Sequence, residues 1–370
     1  MTGAAPGLLV VGDVVTDVVA RHDEPLAANT DTAARIAVLP GGAGANVACW
    51  AARCGARVRL LGRVGADSAD WHRAALLAAG VEPVLRVDDA LPTAVVVALV
   101  DAAAERTLVT DSGAAFRLGP SDWDEALLDG GPGGIGRVHL SGYLYFSAPG
   151  RELAAAVRKA ALARGLPVSV DPASAGFLRR LGTDAFLNAV RGSDLLLPNA
   201  AEAALLTGLG EPAAAAAALS ARCGGAAVVV TLGAAGALAA EDGAVVARAA
   251  APRTTAVDTT GAGDAFTGGL LAARLAGAGL AQALAAGCRA GAAAVTVVGG
   301  RPLHPRSSAG TEAAGPGTVR RGSARTESSP SASATHDAGA PATSAEPASG
   351  RTSASTSGSA TAPGAQDTLP

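Results

Sequence analysis

The chain has 370 residues, 49% of them hydrophobic but only 3% aromatic, and its 29 Lys and Arg nearly balance 32 Asp and Glu. A mildly acidic chain with no basic run is a poor partner for nucleic acid. Lys159 is the only lysine, which excludes a GxxxxGK[ST] phosphate loop, since that loop needs a Lys after its glycines.

The start, Met1-Thr2-Gly3-Ala4-Ala5-Pro6, lacks a basic segment, and Asp13 soon ends the apolar run Leu8–Val11, so a buried first strand is expected rather than a signal peptide. Further strands are expected at Val58–Leu61, Val138–Leu140, Leu166–Val170, Asp194–Leu197 and Ala227–Thr231, each mostly apolar on both faces. Between them, Ala45–Arg53, Ala69–Ala79, Glu152–Arg164 and Ala213–Arg222 are rich in Ala and Leu and predict helices. Such alternation argues for an α/β fold, a mainly parallel sheet with helices on both faces. Two inserts break the rhythm: residues 14–40 are extended, and 92–112 read as a hairpin of Thr93–Val100 and Arg106–Thr110. We expect these to pair into a small separate β lid.

Residues 301–370 contain 53 Ser, Thr, Ala, Pro or Gly among 70. That composition buries too little apolar surface to offset chain entropy, so a disordered tail is expected after a domain spanning 1–300. Four cysteines (49, 54, 223 and 288) form no CxxC pair and suit a reducing compartment. The long uncharged stretch Cys223–Ala240 is broken by glycines and too weakly apolar to span a membrane. The expectation is a cytoplasmic protein without nucleic-acid or membrane partners.

The segment Asp258-Thr259-Thr260-Gly261-Ala262-Gly263-Asp264-Ala265-Phe266-Thr267-Gly268-Gly269 precedes the apolar helical pattern Leu270, Leu271, Leu275. Small residues at 261–263 let backbone N–H groups converge at a helix start, where donors lack intrahelical partners and the dipole attracts an anion. Asp264 beside that anion makes sense as a general base taking a proton from an attacking hydroxyl. The other reading is a plain glycine turn, with Asp264 placed by the dipole alone. Neither this segment nor Gly42-Ala43-Gly44 fits a dinucleotide GxGxxG, because Phe266 and Val47 occupy positions that need small residues.

The string Asp258–Gly269 resembles the C-terminal signature of the ribokinase-like, or PfkB, family of carbohydrate and nucleoside kinases. Gly41-Gly42-Ala43-Gly44-Ala45-Asn46-Val47-Ala48 is similar to its N-terminal signature, and Gly12-Asp13-Val14-Val15-Thr16-Asp17 to its opening substrate segment. The matches fall in family order and cover about residues 8–300. The resemblance implies a ribokinase-like three-layer α/β/α fold and ATP-dependent phosphorylation of a hydroxyl. By it, Asp264 is the catalytic base, and Gly261, Ala262 and Gly263 form the anion hole. Asp17 and Asn46 hold acceptor hydroxyls, while Gly42 allows close approach of the sugar. Asn199 and Glu202 organise Mg²⁺ and phosphate through water, although N-x-x-E also reads as a helix capping box. Thr231, Gly233 and Gly236 contact ATP. Asp258 and the Thr260 carbonyl belong to a monovalent-cation (K⁺) site.

Several sugar-kinase relatives carry Lys where this chain has Ala43, which argues against ribose and more strongly against an already phosphorylated sugar. Arg35 and Arg106 are the candidates to substitute for that Lys from the lid. The expected acceptor is a neutral monosaccharide. The alternatives are a nucleoside, stacked on aromatics among Phe116, Trp123, Tyr143, Tyr145 and Phe146, or a non-catalytic sugar- or nucleotide-binding regulator. His139, at a strand end, is expected to be structural. Lids of relatives often pair between subunits, implying a homodimer through the lid.

Overall fold

The structure is a computed structural model that describes residues 5–103, 106–129 and 133–302. In chain order the elements are β1 (Gly7–Val11), β2 (Val15–Arg21), β3 (Arg35–Gly41), α1 (Ala43–Arg53), β4 (Val58–Gly65), α2 (Ala69–Ala78), β5 (Val81–Asp88), β6 (Ala94–Val100), β7 (Arg106–Asp111) and β8 (Ile135–Ser141). They continue with α3 (Ala148–Ala163), β9 (Val168–Asp171), α4 (Ala175–Leu181), α5 (Thr183–Val190), β10 (Leu195–Leu196), α6 (Ala200–Thr207), α7 (Pro212–Arg222), β11 (Ala227–Thr231), β12 (Ala237–Glu241), β13 (Ala244–Ala249), α8 (Ala262–Leu275) and α9 (Leu280–Ala294).

β1 is Gly-Leu-Leu-Val-Val and buried throughout, as a central strand covered on both faces must be. Its side chains alternate between two cores. Leu9 and Val11 join Leu153 and Val157 of α3, Phe186 of α5 and Leu219 of α7. Leu8 and Val10 join Ala48 of α1, Leu76 of α2, Leu270 of α8 and Leu284 of α9. The sheet between these helical layers runs β13-β12-β11-β10-β9-β8-β1-β4-β5, parallel from β11 to β5 and ending in the antiparallel β12 and β13. Every strand and helix expected from the sequence is present; β9 starts two residues late, at Val168, and β10 shrinks to two residues.

The inserts form a second sheet, β3-β2-β6-β7. β2 pairs antiparallel with β3 and parallel with β6, whose partner β7 closes the hairpin. Packing extends past the expected boundary at residue 300: Arg301 is partly buried and Pro302 buried. The remainder of the expected tail lies outside the described residues. Among the described residues, no single helix is long and apolar enough to cross a membrane.

The start of α1 comes unusually close to the end of β1. A Cβ built on Gly44 would sit 2.8 Å from Gly12 Cα and 3.0 Å from Asp13 N, so only glycine lets the backbones meet. Gly44→Ala is expected to destabilise the fold by about 1–3 kcal/mol. An unchanged urea midpoint would show that the close approach contributes nothing.

Candidate active site

The loops after β1, β8, β9, β10 and β11 and the start of α8 gather at the carboxyl edge of the parallel strands, where open α/β sheets bind ligands. Gly261 caps α8 at φ 71, and a Cβ there would lie 2.5 Å from Gly300 Cα. The Ala262 N–H turns back to the Thr259 carbonyl at 3.3 Å. The N–H groups that follow, of Gly263 and Asp264, are first-turn donors without helical partners.

Asp264 Oδ2 accepts from Asn46 Nδ2 at 2.8 Å, joining the first turn of α8 to that of α1. Burial pushes the Asp264 carboxyl well above the usual carboxylate range; the Asn46 bond opposes this, and Asp171, Asp13 and Asp17 add to it. Asp17 projects from the inner face of the lid against Gly41, where a Cβ would lie 2.0 Å from its Oδ2. Gly42, at φ 98, begins α1.

A cavity of about 300 Å³ brings Asp17, Gly42 and Asn46 together with Asn199, Glu202, Thr231, Thr260, Gly261, Gly263 and Asp264. A second cavity, of about 590 Å³, is lined by Thr231, Gly233, Gly236, Ala262, Gly263 and Phe266. The two share Thr231 and Gly263, so they meet at the glycine turn. The second is an apolar cleft ending at that anion-binding turn, which fits a nucleotide with its phosphates toward α8.

Asn199 and Glu202 form the capping box: Asn199 Oδ1 accepts from Glu202 N (2.9 Å), and Glu202 Oε2 accepts from Asn199 N (3.0 Å). Glu202 nonetheless lines the first cavity with Asp171. Burial raises both carboxyls; Asp171 pushes Glu202 further up, and Asp13 does the same to Asp171. Two crowded carboxylates beside a phosphate site suit Mg²⁺, which typically takes one or two carboxylates plus phosphate oxygens and water.

The K⁺ site implied by the resemblance does not fit this arrangement. Asp258 Oδ1 accepts from the backbone N–H and hydroxyl of Thr260 (2.9 and 2.7 Å), and Oδ2 accepts from Gly299 N (3.0 Å). Arg21 and Arg106 guanidinium nitrogens lie 3.6 and 3.7 Å from the same carboxylate. Although burial opposes it, these donors hold the Asp258 carboxyl below its usual range. The charge already faces two guanidiniums, and Oδ1 already takes two donors.

Several site residues escaped the sequence reading. Asp13 accepts from Ala43 N (2.7 Å), Gly44 N (3.1 Å) and Ser141 Oγ (2.8 Å), fixing the start of α1. Asp171 and Phe177 line the first cavity. Each stands where only strand order brings it near the glycine turn; the one local signal was Asp171 at the end of an apolar strand. Of the aromatics singled out, Phe116 and Tyr143 line the cavity, Phe146 packs on Phe177, and Tyr145 and Trp123 belong to the core. His139 is buried on Ser169 Oγ (3.1 Å), and burial drives its pKa to about 3, consistent with a structural role.

A buried carboxylate beside a helix start with free N–H donors, next to the turn where two cavities meet, suits a phosphotransferase with an alcohol as acceptor, here on a ribokinase-like α/β fold. Residues 5–306 match the pfkB family carbohydrate kinase description, and the chain belongs to that family. It is 33% identical over 286 residues to a fructokinase of Klebsiella pneumoniae, covering 75% of this chain and 87% of that one. It is 30% identical over 290 residues to an ATP-dependent ribose-1-phosphate kinase of Halopiger xanaduensis, covering 75% and 88%. The solved structure of aminoimidazole riboside kinase from Salmonella enterica, complexed with aminoimidazole riboside and an ATP analog, is 27% identical with TM-score 0.66, covering 81% and 96%.

With two guanidiniums already facing Asp258, replacing K⁺ by Na⁺ or choline at fixed ionic strength is expected to leave kcat within about twofold. A much larger loss on removing K⁺ would restore a cation to Asp258.

Proposed function

We propose that this chain transfers the γ-phosphoryl group of ATP to a hydroxyl of a small neutral sugar. The carrying observation is Asp264, held by Asn46 at the glycine turn where the two cavities meet. The acceptor lies between Asp17, Asn46 and the lid, and ATP over the Thr231–Gly236 and Gly261–Gly263 turns. Asp264 takes the hydroxyl proton as the acceptor oxygen bonds to the γ-phosphorus; the bond to the β-phosphate oxygen breaks, and ADP leaves. Burial raises the carboxyl above the usual carboxylate range, which makes it a stronger proton acceptor than a free carboxylate. N–H groups of the first turn stabilise charge developing on the phosphoryl oxygens. Glu202, with Asp171 nearby, would hold Mg²⁺ through water, which would supply charge neutralisation on the phosphates.

Charge supports a neutral acceptor. The cavity wall carries Asp13, Asp17, Asp171, Glu202 and Asp264. Its cation, Arg106, donates to the Thr259 and Thr260 hydroxyls (2.8 and 2.7 Å), while the Arg35 side chain is 81% exposed beside Asp23. A second phosphate on the acceptor would meet carboxylates. The nucleoside reading is favoured by one observation: Phe116 and Tyr143 both meet Phe177 edge-on in the cavity wall, with centroids 6.0 and 5.8 Å apart, a surface suited to a base. Four thiols, all free, suit the reducing cytoplasm.

An ADP-release assay with D-fructose, D-ribose and adenosine separates the readings, and ligand binding without ADP release would favour a non-catalytic regulator. Asp264→Asn is expected to lower kcat by about 10²–10⁴-fold with an unchanged melting temperature. Near-normal turnover would end the general-base assignment.

The lid supports a homodimer. Val38, Val18, Val97 and Val109 are directly paired across all four strands, forming an apolar row, and Val38 and Val109 are exposed. An exposed face of this kind with open edge strands favours association. Light scattering should give twice the monomer mass, and Val97→Lys should halve it; a monomeric wild-type chain would dismiss the dimer.

A further inference from the structure

After α9 the chain crosses back over the site as a short strap. Gly299 N–H donates to Asp258, the Gly300 carbonyl accepts from Trp50 Nε1 (2.9 Å), and Arg301 Nη2 donates to the Gly41 carbonyl (2.9 Å). Gly41 is the residue against which the Asp17 carboxylate packs. The strap therefore delivers a guanidinium to the back of the acceptor-binding wall.

Nε and Nη1 of Arg301 are out of solvent and have no hydrogen-bond partner among the described residues. A guanidinium in that condition is costly unless an opposite charge faces it. Three titratable groups interact with it: Cys49, Asp17 and His72. Burial raises the Cys49 thiol, leaving it neutral, and drives His72 down to about 3, leaving that ring neutral as well. Of these three groups, Asp17 is the one able to supply the balancing negative charge.

We propose that Arg301 is a positioning residue for acceptor binding, the fixed countercharge that keeps Asp17 ionised and turned toward the acceptor. The proposal rests on the reading that Asp17 holds acceptor hydroxyls. It explains how the wall works with only a methyl group at Ala43. Burial lifts Asp17 to about 7; Arg301 opposes that, and Asp13 and Asp258 add to it. Asp264 also faces Asp17 across the cavity, whereas the guanidiniums of Arg21 and Arg106 lie on Asp258. The sign follows: below about pH 7 Asp17 is protonated and accepts fewer hydroxyls, so acceptor affinity rises with pH through that point. Without Arg301 the midpoint moves higher.

The test uses the full chain with D-fructose, D-ribose and adenosine as acceptors. Arg301→Gln keeps a donor for the Gly41 carbonyl but drops the charge; Arg301→Lys keeps the charge. At pH 7, R301Q is expected to raise acceptor KM by about tenfold, with the KM for ATP within about twofold, and R301K to recover most of the loss. In an Asp17→Asn background, R301Q should add nothing. An R301Q acceptor KM equal to wild type, or a loss undiminished in D17N, overturns the proposal. Carbon-13 NMR of the carboxyl resonance absent in D17N reads the same effect without turnover: its midpoint should rise in R301Q, and an unmoved midpoint also overturns it. If wild type phosphorylates none of the three acceptors, the proposed function fails while this midpoint still judges the countercharge. Should R301Q melt below assay temperature, D17N/R301M is compared with both single variants. Two losses that compensate in melting temperature support the pair; simple addition refutes it.

Discussion

One amide–carboxylate bond, from Asn46 to Asp264, joins residues 218 positions apart and organises the site. A buried carboxylate is unfavourable without partners, and its orientation decides whether a hydroxyl can deliver a proton to it. Asn46 supplies that orientation because α1 packs on α8: a Cβ on Gly268 would lie 2.7 Å from Ala51 N. The same contact places the glycine turn of α8 beside the lid hinge at Gly41 and Gly42. Asp264, the glycine turn and the wall around Asp17 are thus brought together by one helix pair seated on one face of the sheet.

Crowding of negative charge is the second constraint. Asp13, Asp17, Asp171, Glu202 and Asp264 converge on one cavity. Each is offset differently. Asp13 takes up the N–H groups that begin α1, Glu202 closes a capping box, and Asp264 holds the Asn46 amide. Asp171 accepts from Thr267 and the Ala173 N–H, and Arg301 faces Asp17. Such a wall disfavours anionic acceptors and favours a divalent cation at its phosphate end.

Guanidiniums do the balancing in a chain that has a single lysine. Arg106 carries the lid's link to Thr259 and Thr260, and with Arg21 it surrounds Asp258. A fixed guanidinium fork suits these places because it bridges several oxygens at once. Lid and glycine turn are therefore coupled directly by hydrogen bonds.

The parallel sheet, the lid and the Gly-rich turn were legible in the sequence because each follows from local rules. Doubly buried strands are apolar runs, hairpin strands flank a polar turn, and an anion-binding helix start needs small residues. Asp264 stood out for the same reason, since it opens the helix behind the glycine turn, whereas Asp17 and Asn46 were singled out only by the family resemblance of the segments that hold them. The tertiary structure decided what depends on strand order and crossing chains: that Asp171 faces Glu202, that Asp13 fixes α1 from 30 residues away, and that Phe177 completes the aromatic wall. It also decided that two arginines meet Asp258, and that Arg301, on composition part of a featureless tail, reaches the Gly41 carbonyl. Charge pairing acts through space, and sequence spacing carries no record of it.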